Sequence, residues 1–314
     1  MKVHLTVHRS TNEIGGNCIE ITAGVDRILL DVGRPLHAAP DAIDLLAPTL
    51  DLAGPMSGVL ISHPHQDHYG LLDETPADWP VFSGEATARL IELTSRMFGK
   101  AVGRPFTAWE SGVRFNIGPF AITPFLTDHS AFDSYMLLVE VAGKRIFYSG
   151  DFRTHGRKSK LVERMIADPP RDIDVLVMEG TNLGSDKPTT SETDLETEFA
   201  DLFRKTKGRV FVAWSAQNID RTVTLYRACL KTGRTLVIDL YTAEVLEKLA
   251  SFGKLPQPDW SAMKVVVTKA FSRLYRRRGE NAFVERMVPH GISAKKLALT
   301  PEKWVVMTLS LIHI

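Results

Sequence analysis

The 314-residue sequence predicts an α/β protein in two parts: a strand-rich half with helices packed outside its sheets, then a half in which helix and strand alternate. Hydrophobic residues at 44% and charged residues at 24% match an ordinary soluble globular protein and exclude disorder, collagen-like repeats and coiled coil. Up to about residue 180, short β-rich runs are separated by turns. Beyond about residue 190, apolar runs are separated by segments of helical spacing, the mark of a parallel sheet with crossover helices.

In order along the first half, strands are expected at Val3 to Arg9, Asn17 to Thr22, Arg27 to Asp31, Gly58 to Ser62, Phe120 to Thr127, Tyr135 to Val141 and Arg145 to Ser149. The one clear helix there is Ala86 to Phe98, where Ala86, Leu90, Leu93 and Met97 recur at three- and four-residue steps. The stretch Gly184 to Pro188 is rich in turn formers and marks a boundary. Ser191 and Asp194 then form a capping pair that opens a helix. Strands follow at Arg209 to Ala213, Thr235 to Asp239 and Lys264 to Thr268, with helices at Ile219 to Lys231 and Thr242 to Phe252 between them.

Thirty-eight Lys and Arg against 37 Asp and Glu leave a formal charge of +1, so affinity for a polyanion has to come from local patches. Cys18 and Cys229 sit in no metal-binding or disulfide spacing, which fits a reducing cytoplasm. The amino terminus alternates like a strand and lacks the apolar core of a signal peptide, and no run approaches 18 apolar residues. The expectation is a soluble cytoplasmic protein with no membrane partner; nothing in the sequence sets its oligomeric state.

The strongest chemical signal is His63-Pro64-His65-Gln66-Asp67-His68, directly after the apolar run Val59-Leu60-Ile61-Ser62. Chance places such an H-x-H-x-D-H string in a chain of this composition with probability of roughly 6 × 10⁻⁴. On a loop past a strand end, His63 and His65 can aim two imidazoles at one cation while Asp67 and His68 face another. Imidazole suits Zn²⁺, and a carboxylate adds an anionic oxygen.

With this loop the sequence resembles the metallo-β-lactamase fold, an αββα sandwich, and further positions match it. Asp31 in Leu29-Leu30-Asp31-Val32-Gly33 matches the early acidic motif that orients the loop ligands, although alone it reads equally well as a turn aspartate. His129 in Thr127-Asp128-His129-Ser130 matches a ligand of the first metal, and Asp151 in Ser149-Gly150-Asp151 the carboxylate that bridges two metals. The resemblance thus implies His63, His65 and His129 on one ion and Asp67, His68 and Asp151 on a second, most simply two Zn²⁺, with Asp67 and Asp151 serving catalysis.

Val175 to Glu179, continuing Gly180-Thr181-Asn182-Leu183-Gly184, resembles the acidic motif that opens the insertion of β-CASP nucleases, as does Trp214-Ser215-Ala216-Gln217-Asn218 with Asp220-Arg221-Thr222. Glu179 would support the ligands from behind. This resemblance, to the ribonuclease J and cleavage-factor type, implies a metallo-β-lactamase domain over 1–185 and a β-CASP-like α/β domain over 186–308. It implies hydrolysis of phosphodiesters in nucleic acid, RNA favoured over DNA, by a metal-activated hydroxide. No serine sits in a G-x-S-x-G elbow, so a covalent serine route is not indicated. The competing readings are a thioesterase or lactonase with the same metal site, and an inactive scaffold of an RNA-processing complex.

One departure stands out. β-CASP nucleases carry two later histidines, and the candidates here are His290, in Val288-Pro289-His290-Gly291 without the expected context, and His313. Leu309 to Ile314 reads as the translation of a transposase library adapter, a scar to set aside. The resemblance therefore implies a chain cut short of the family's complete second site. Arg276-Arg277-Arg278, after Arg273 and Tyr275, is the one dense basic cluster. Its aromatic and cations could stack on bases or grip phosphates, while a solvated helix face explains it as well. His155 stands near the Asp151 motif or on the surface; His4, His8 and His37 read as structural or surface residues.

Overall fold

Alternation along the strands builds the first half, because successive side chains of a strand point to opposite faces. Six strands, β1 (Val3–Arg9), β2 (Cys18–Ala23), β3 (Asp26–Leu30), β4 (Gly58–Ile61), β5 (Val81–Gly84) and β6 (Phe106–Trp109), form one sheet in sequential order. Pairing is antiparallel from β1 to β3 and parallel from β3 to β6. Helix α1 (Gln66–Tyr69) follows β4 and helix α2 (Glu85–Met97) follows β5. A second sheet has the order β11-β10-β9-β8-β7, from β7 (Phe115–Ile117), β8 (Phe120–Leu126), β9 (Tyr135–Val141), β10 (Lys144–Tyr148) and β11 (Val175–Val177). Helix α3 (Ser159–Ala167) lies between β10 and β11 in sequence.

Ile19, Ile21, Ile28, Leu30 and Leu60 of the first sheet share a core with Phe120, Ile122, Leu137, Val139 and Ile146 of the second. The intervening residues Cys18, Leu29, Val59 and Ile61 pack outward with Tyr69 of α1 and Ile91 of α2. On the far side Met136, Leu138 and Phe147 pack with Val162 of α3. The result is the αββα sandwich.

The computed structural model describes residues 1–39, 41–99 and 103–309. It divides into Met1–Thr154 with Lys158–Lys187, and His155–Arg157 with the chain from Pro188 onward. The second unit holds a parallel sheet ordered β12-β15-β13-β14, from β12 (Val210–Trp214), β13 (Thr235–Asp239), β14 (Met263–Val266) and β15 (Trp304–Leu309). Its helices are α4 (Glu192–Lys205), α5 (Ile219–Thr232), α6 (Leu240–Leu249), α7 (Lys269–Arg277), α8 (Asn281–Met287) and α9 (Ala294–Leu299). Ser191 caps α4 by accepting from Asp194 N at 3.1 Å. Helix α6 starts two residues before its expected start at Thr242, because Asp239 at the strand end accepts from Thr242 N at 2.7 Å and acts as its cap. Residues 310–314, with His313 and all but the first residue of the expected adapter segment, lie outside the described residues.

Candidate metal centre

The histidine loop leaves the end of β4, and its shape is set by a clasp from the chain that follows β3 and from Asn17, just before β2. Val32 N donates to His68 O at 2.8 Å, Arg34 N to Gln66 O at 2.9 Å and Asn17 N to Asp67 O at 3.0 Å. These bonds satisfy carbonyls of a four-residue helix too short to stand by itself. Gly33 sits where the two backbones meet: a Cβ there would lie 1.6 Å from Asp67 O. Gly33→Ala is therefore expected to displace the loop and strip bound metal from a protein that still folds. Metal analysis with far-ultraviolet circular dichroism checks this, and a variant retaining full metal content would contradict it.

Asp31 stands under the loop in the left-handed region, φ 61°, fully buried. Such a conformation costs a non-glycine residue about 1–3 kcal/mol and persists only when its surroundings enforce it. Four donors do so: Ser62 N at 2.7 Å, Ser62 Oγ at 2.8 Å, His68 Nδ1 at 2.8 Å and Tyr148 Oη at 2.6 Å. With its Nδ1 hydrogen given to Asp31, His68 turns Nε2 toward Asp151 Oδ1, 3.2 Å away. Ser62 Oγ also lies 3.1 Å from His63 Nδ1, which leaves His63 Nε2 pointing at the other donors.

The 127–134 loop, closed by Thr127 N to Ser134 O at 2.8 Å, brings in His129. The turn after β10 brings in Asp151 through Gly150, which has φ 50° and stands where a Cβ would be 2.9 Å from Tyr135 O. His65 Nδ1 is 3.2 Å from His63 Nε2 and 3.1 Å from His129 Nε2. Asp151 Oδ2 stands 4.0 Å from His63 Nε2 and 3.9 Å from His129 Nε2. Two triads can each hold a metal ion, His63 with His65 and His129, and His63 with His68 and Asp151, donor atoms within 4.8 Å of one another. Four donors about 2.0–2.1 Å from a tetrahedral Zn²⁺ stand about 3.4 Å apart, so these separations and this imidazole–carboxylate chemistry fit a divalent cation. Asp67 stands at the margin, its Oδ2 3.7 Å from His68 Nε2.

Charge is divided unevenly across the cluster. Burial and the neighbouring imidazoles of His68, His129 and His65 hold His63 well below the ordinary imidazole range, so it is neutral. Burial and His65 do the same to His129. His68 is also buried, but the carboxylates of Asp151 and Asp31 outweigh desolvation and raise it well above 6.5. Burial works against ionisation of Asp151, yet His68, His129 and His65 hold its carboxyl below the usual carboxylate range. Before metal arrives, the cationic His68 therefore neutralises Asp151. A metal ion taken up by His68 has to displace its proton, whereas His63 and His129 have none to lose. Titration calorimetry of the metal-free protein at pH 7, in buffers of differing ionisation enthalpy, should show release of about one proton for the ion bound through His68, with affinity rising as pH rises. Uptake at both sites without proton release would contradict this.

Glu179 accepts from Phe152 N at 2.7 Å and so braces the backbone beside Asp151; burial raises its pKa above the usual carboxylate value. Ser62, Tyr148 and Asn17, whose side-chain nitrogen is 2.9 Å from His68 Nε2, were not apparent from the sequence. A polar residue beside a histidine motif is too common to signal a role. His8, as expected, is structural, bonded to Thr49 and Glu20. His155 belongs to the second unit, where its carbonyl accepts from Glu192 N, and His290 lies in a short turn of that unit. Tyr275 corrects an expectation: it is 1% exposed, its ring 5.2 Å from Phe283, so it cannot stack on a base.

A family model described as "Beta-lactamase superfamily domain" matches residues 26–257. Among curated proteins, a ribonuclease J of Helicobacter pylori is 25% identical over 251 residues, 75% of this chain and 36% of that protein. A ribonuclease J of Mycobacterium tuberculosis is 26% identical over 247 residues, 74% of this chain and 43% of the relative. The chain thus spans well under half the length of these relatives. In fold it is similar to a solved protein of unknown function from Enterococcus faecalis, with TM-score 0.77 at 19% identity over 99% of this chain and 78% of that one. No helix among the described residues is long and apolar enough to cross a membrane.

Proposed function

We propose that this chain, which belongs to the beta-lactamase superfamily, acts as a two-metal nuclease that cleaves the phosphodiester bonds of RNA. The observation that carries the reading is the pair of donor triads meeting at His63, with Asp151 beside both. In this assignment His63, His65 and His129 would hold one divalent ion and Asp67, His68 and Asp151 a second, Zn²⁺ being the simplest choice for imidazole and carboxylate donors, with Asp151 close to both sets. Divalent ions held there would supply activation of a water at neutral pH and neutralisation of charge on the phosphoryl oxygens. The chain's own residues keep the ligands in register: Asp31 fixes the tautomer of His68, Ser62 that of His63, and Glu179 the backbone at Phe152. Neutral His63 and His129 are ready to bind without losing a proton.

The likeness to ribonuclease J proteins supports RNA as substrate. So does the parallel α/β block, which we assign as a β-CASP-like domain over 186–308 that follows a metallo-β-lactamase domain over 1–185. Cytoplasmic location fits the two free, buried thiols of Cys18 and Cys229. The test is to assay the zinc-loaded, full-length protein on labelled single-stranded RNA, single-stranded DNA, and a panel of thioesters and lactones, with His65→Ala alongside. RNA cleavage lost in the variant is expected; turnover of thioester or lactone with RNA untouched would overturn the reading.

A further inference from the structure

Helix α7 reads Lys-Ala-Phe-Ser-Arg-Leu-Tyr-Arg-Arg, and with Arg278 the segment carries five cations and no acid. At 100° per residue, Lys269, Arg273, Arg276 and Arg277 fall on one face about 100° wide, in a strip about 12 Å long. All four are exposed, and among the described residues none has a carboxylate partner. Several other cations of the second unit are matched, as Arg157 and Lys231 are by Glu196, Arg221 by Glu192 and Arg286 by Glu247, and the unmatched lysines there are not gathered with arginines on one helix face. In a chain of net charge +1, an unmatched strip of four is a local positive field.

The opposite face anchors the helix. Tyr275 is buried against Phe283 of α8, and Thr268 caps the first turn by accepting from Phe271 N at 3.2 Å. The strip is therefore displayed on a fixed support. We infer that the Lys269–Arg273–Arg276–Arg277 face of α7 is a phosphate-gripping surface for single-stranded RNA, a binding surface additional to the metal centre. The inference rests on the RNA reading above for the identity of the polyanion. An anionic membrane is the lesser fit, because a helix that lies in a bilayer surface exposes its apolar face, and here Tyr275 of that face is buried and Phe271 and Leu274 are half-buried. Guanidinium groups suit phosphate oxygens through paired donors, and their salt dependence counts the contacts.

The test is fluorescence anisotropy of a labelled phosphorothioate uridine RNA 20-mer, which resists hydrolysis, with the metal-loaded, full-length protein across 50–300 mM salt. The triple variant Arg273→Ala, Arg276→Ala, Arg277→Ala keeps helix propensity and should lower the salt slope by about 2, at about 0.7 per lost contact, and the affinity by about a hundredfold at 0.1 M salt. The corresponding triple Arg→Lys variant should restore most of the slope. Hydrolysis of bis(4-nitrophenyl) phosphate should be unchanged in both, which reports an intact metal centre. If the wild-type protein binds and cleaves RNA while the alanine variant matches it in affinity and slope, the inference fails and the RNA reading stands. If the wild-type protein neither binds nor cleaves RNA, the reading fails and the inference with it. Loss of binding to phosphatidylserine vesicles with RNA affinity unchanged would overturn it in favour of a membrane.

Discussion

Asp151→Ala should release both metal ions and lower phosphodiester hydrolysis by more than about 100-fold, the upper end of what losing a supporting contact costs a metal site. The carboxylate lies 3.2 Å from His68 Nε2 through one oxygen and about equally far from His63 and His129 through the other. Removing it takes an anion from a cluster of four imidazoles. His68 keeps only Asp31, at 2.8 Å, of the two carboxylates beside it, and an incoming cation loses the anionic oxygens that face His63, His68 and His129. Mass-spectrometric metal analysis with a single-turnover rate checks this; two equivalents of metal retained in the variant would show that Asp151 stands outside the centre.

The largest effect on stability is expected at Asp31. Its buried carboxylate accepts from two groups of Ser62, from His68 and from Tyr148, and alanine would strand all four donors in a dry interior. Breaking a buried charged network by removing one partner typically costs 3–5 kcal/mol. Tyr148→Phe deletes a single one of these bonds and should cost about 1 kcal/mol. Urea unfolding of the metal-free proteins separates the two, since metal then contributes to neither. An Asp31→Ala protein within about 1 kcal/mol of wild type would mean that the carboxylate is not what holds the loop.

Where the sequence was legible, the reason is periodicity or rare chemistry. Val3 to Arg9, Tyr135 to Val141 and Thr235 to Asp239 were bounded to the residue because β-branched and apolar runs end there in polar or turn residues. Strands β5 and β6 were not anticipated: four residues each, they are parallel strands whose pattern is too short to read. Helix α3 was missed because its helical spacing, Leu161, Val162, Met165 and Ile166, spans only nine residues, too short a window to stand out from the strands around it. Strand β15 slots between β12 and β13 from far along the chain, a pairing that no local signal announces.

The site divides in the same way. His63, His65 and His68 were visible because histidines at that spacing are rare by chance, and the structure brings His129 and Asp151 to them from loops 64 and 86 residues beyond His65. The roles of Ser62 and Tyr148 were not visible, since they depend on where Asp31 points, and that is fixed by a left-handed backbone at one residue. Gly33 reads in the sequence only as the end of the Leu29–Gly33 run; its necessity is the approach of Asp67 O, a contact between segments 34 residues apart.

The most direct test is anomalous diffraction from crystals of the zinc-loaded protein at the zinc edge. The account predicts two peaks, one within about 2.0–2.2 Å of His63, His65 and His129 and one within the same distance of His68 and Asp151, with Asp151 reaching both. A single peak, or peaks that Asp151 does not touch, would contradict it.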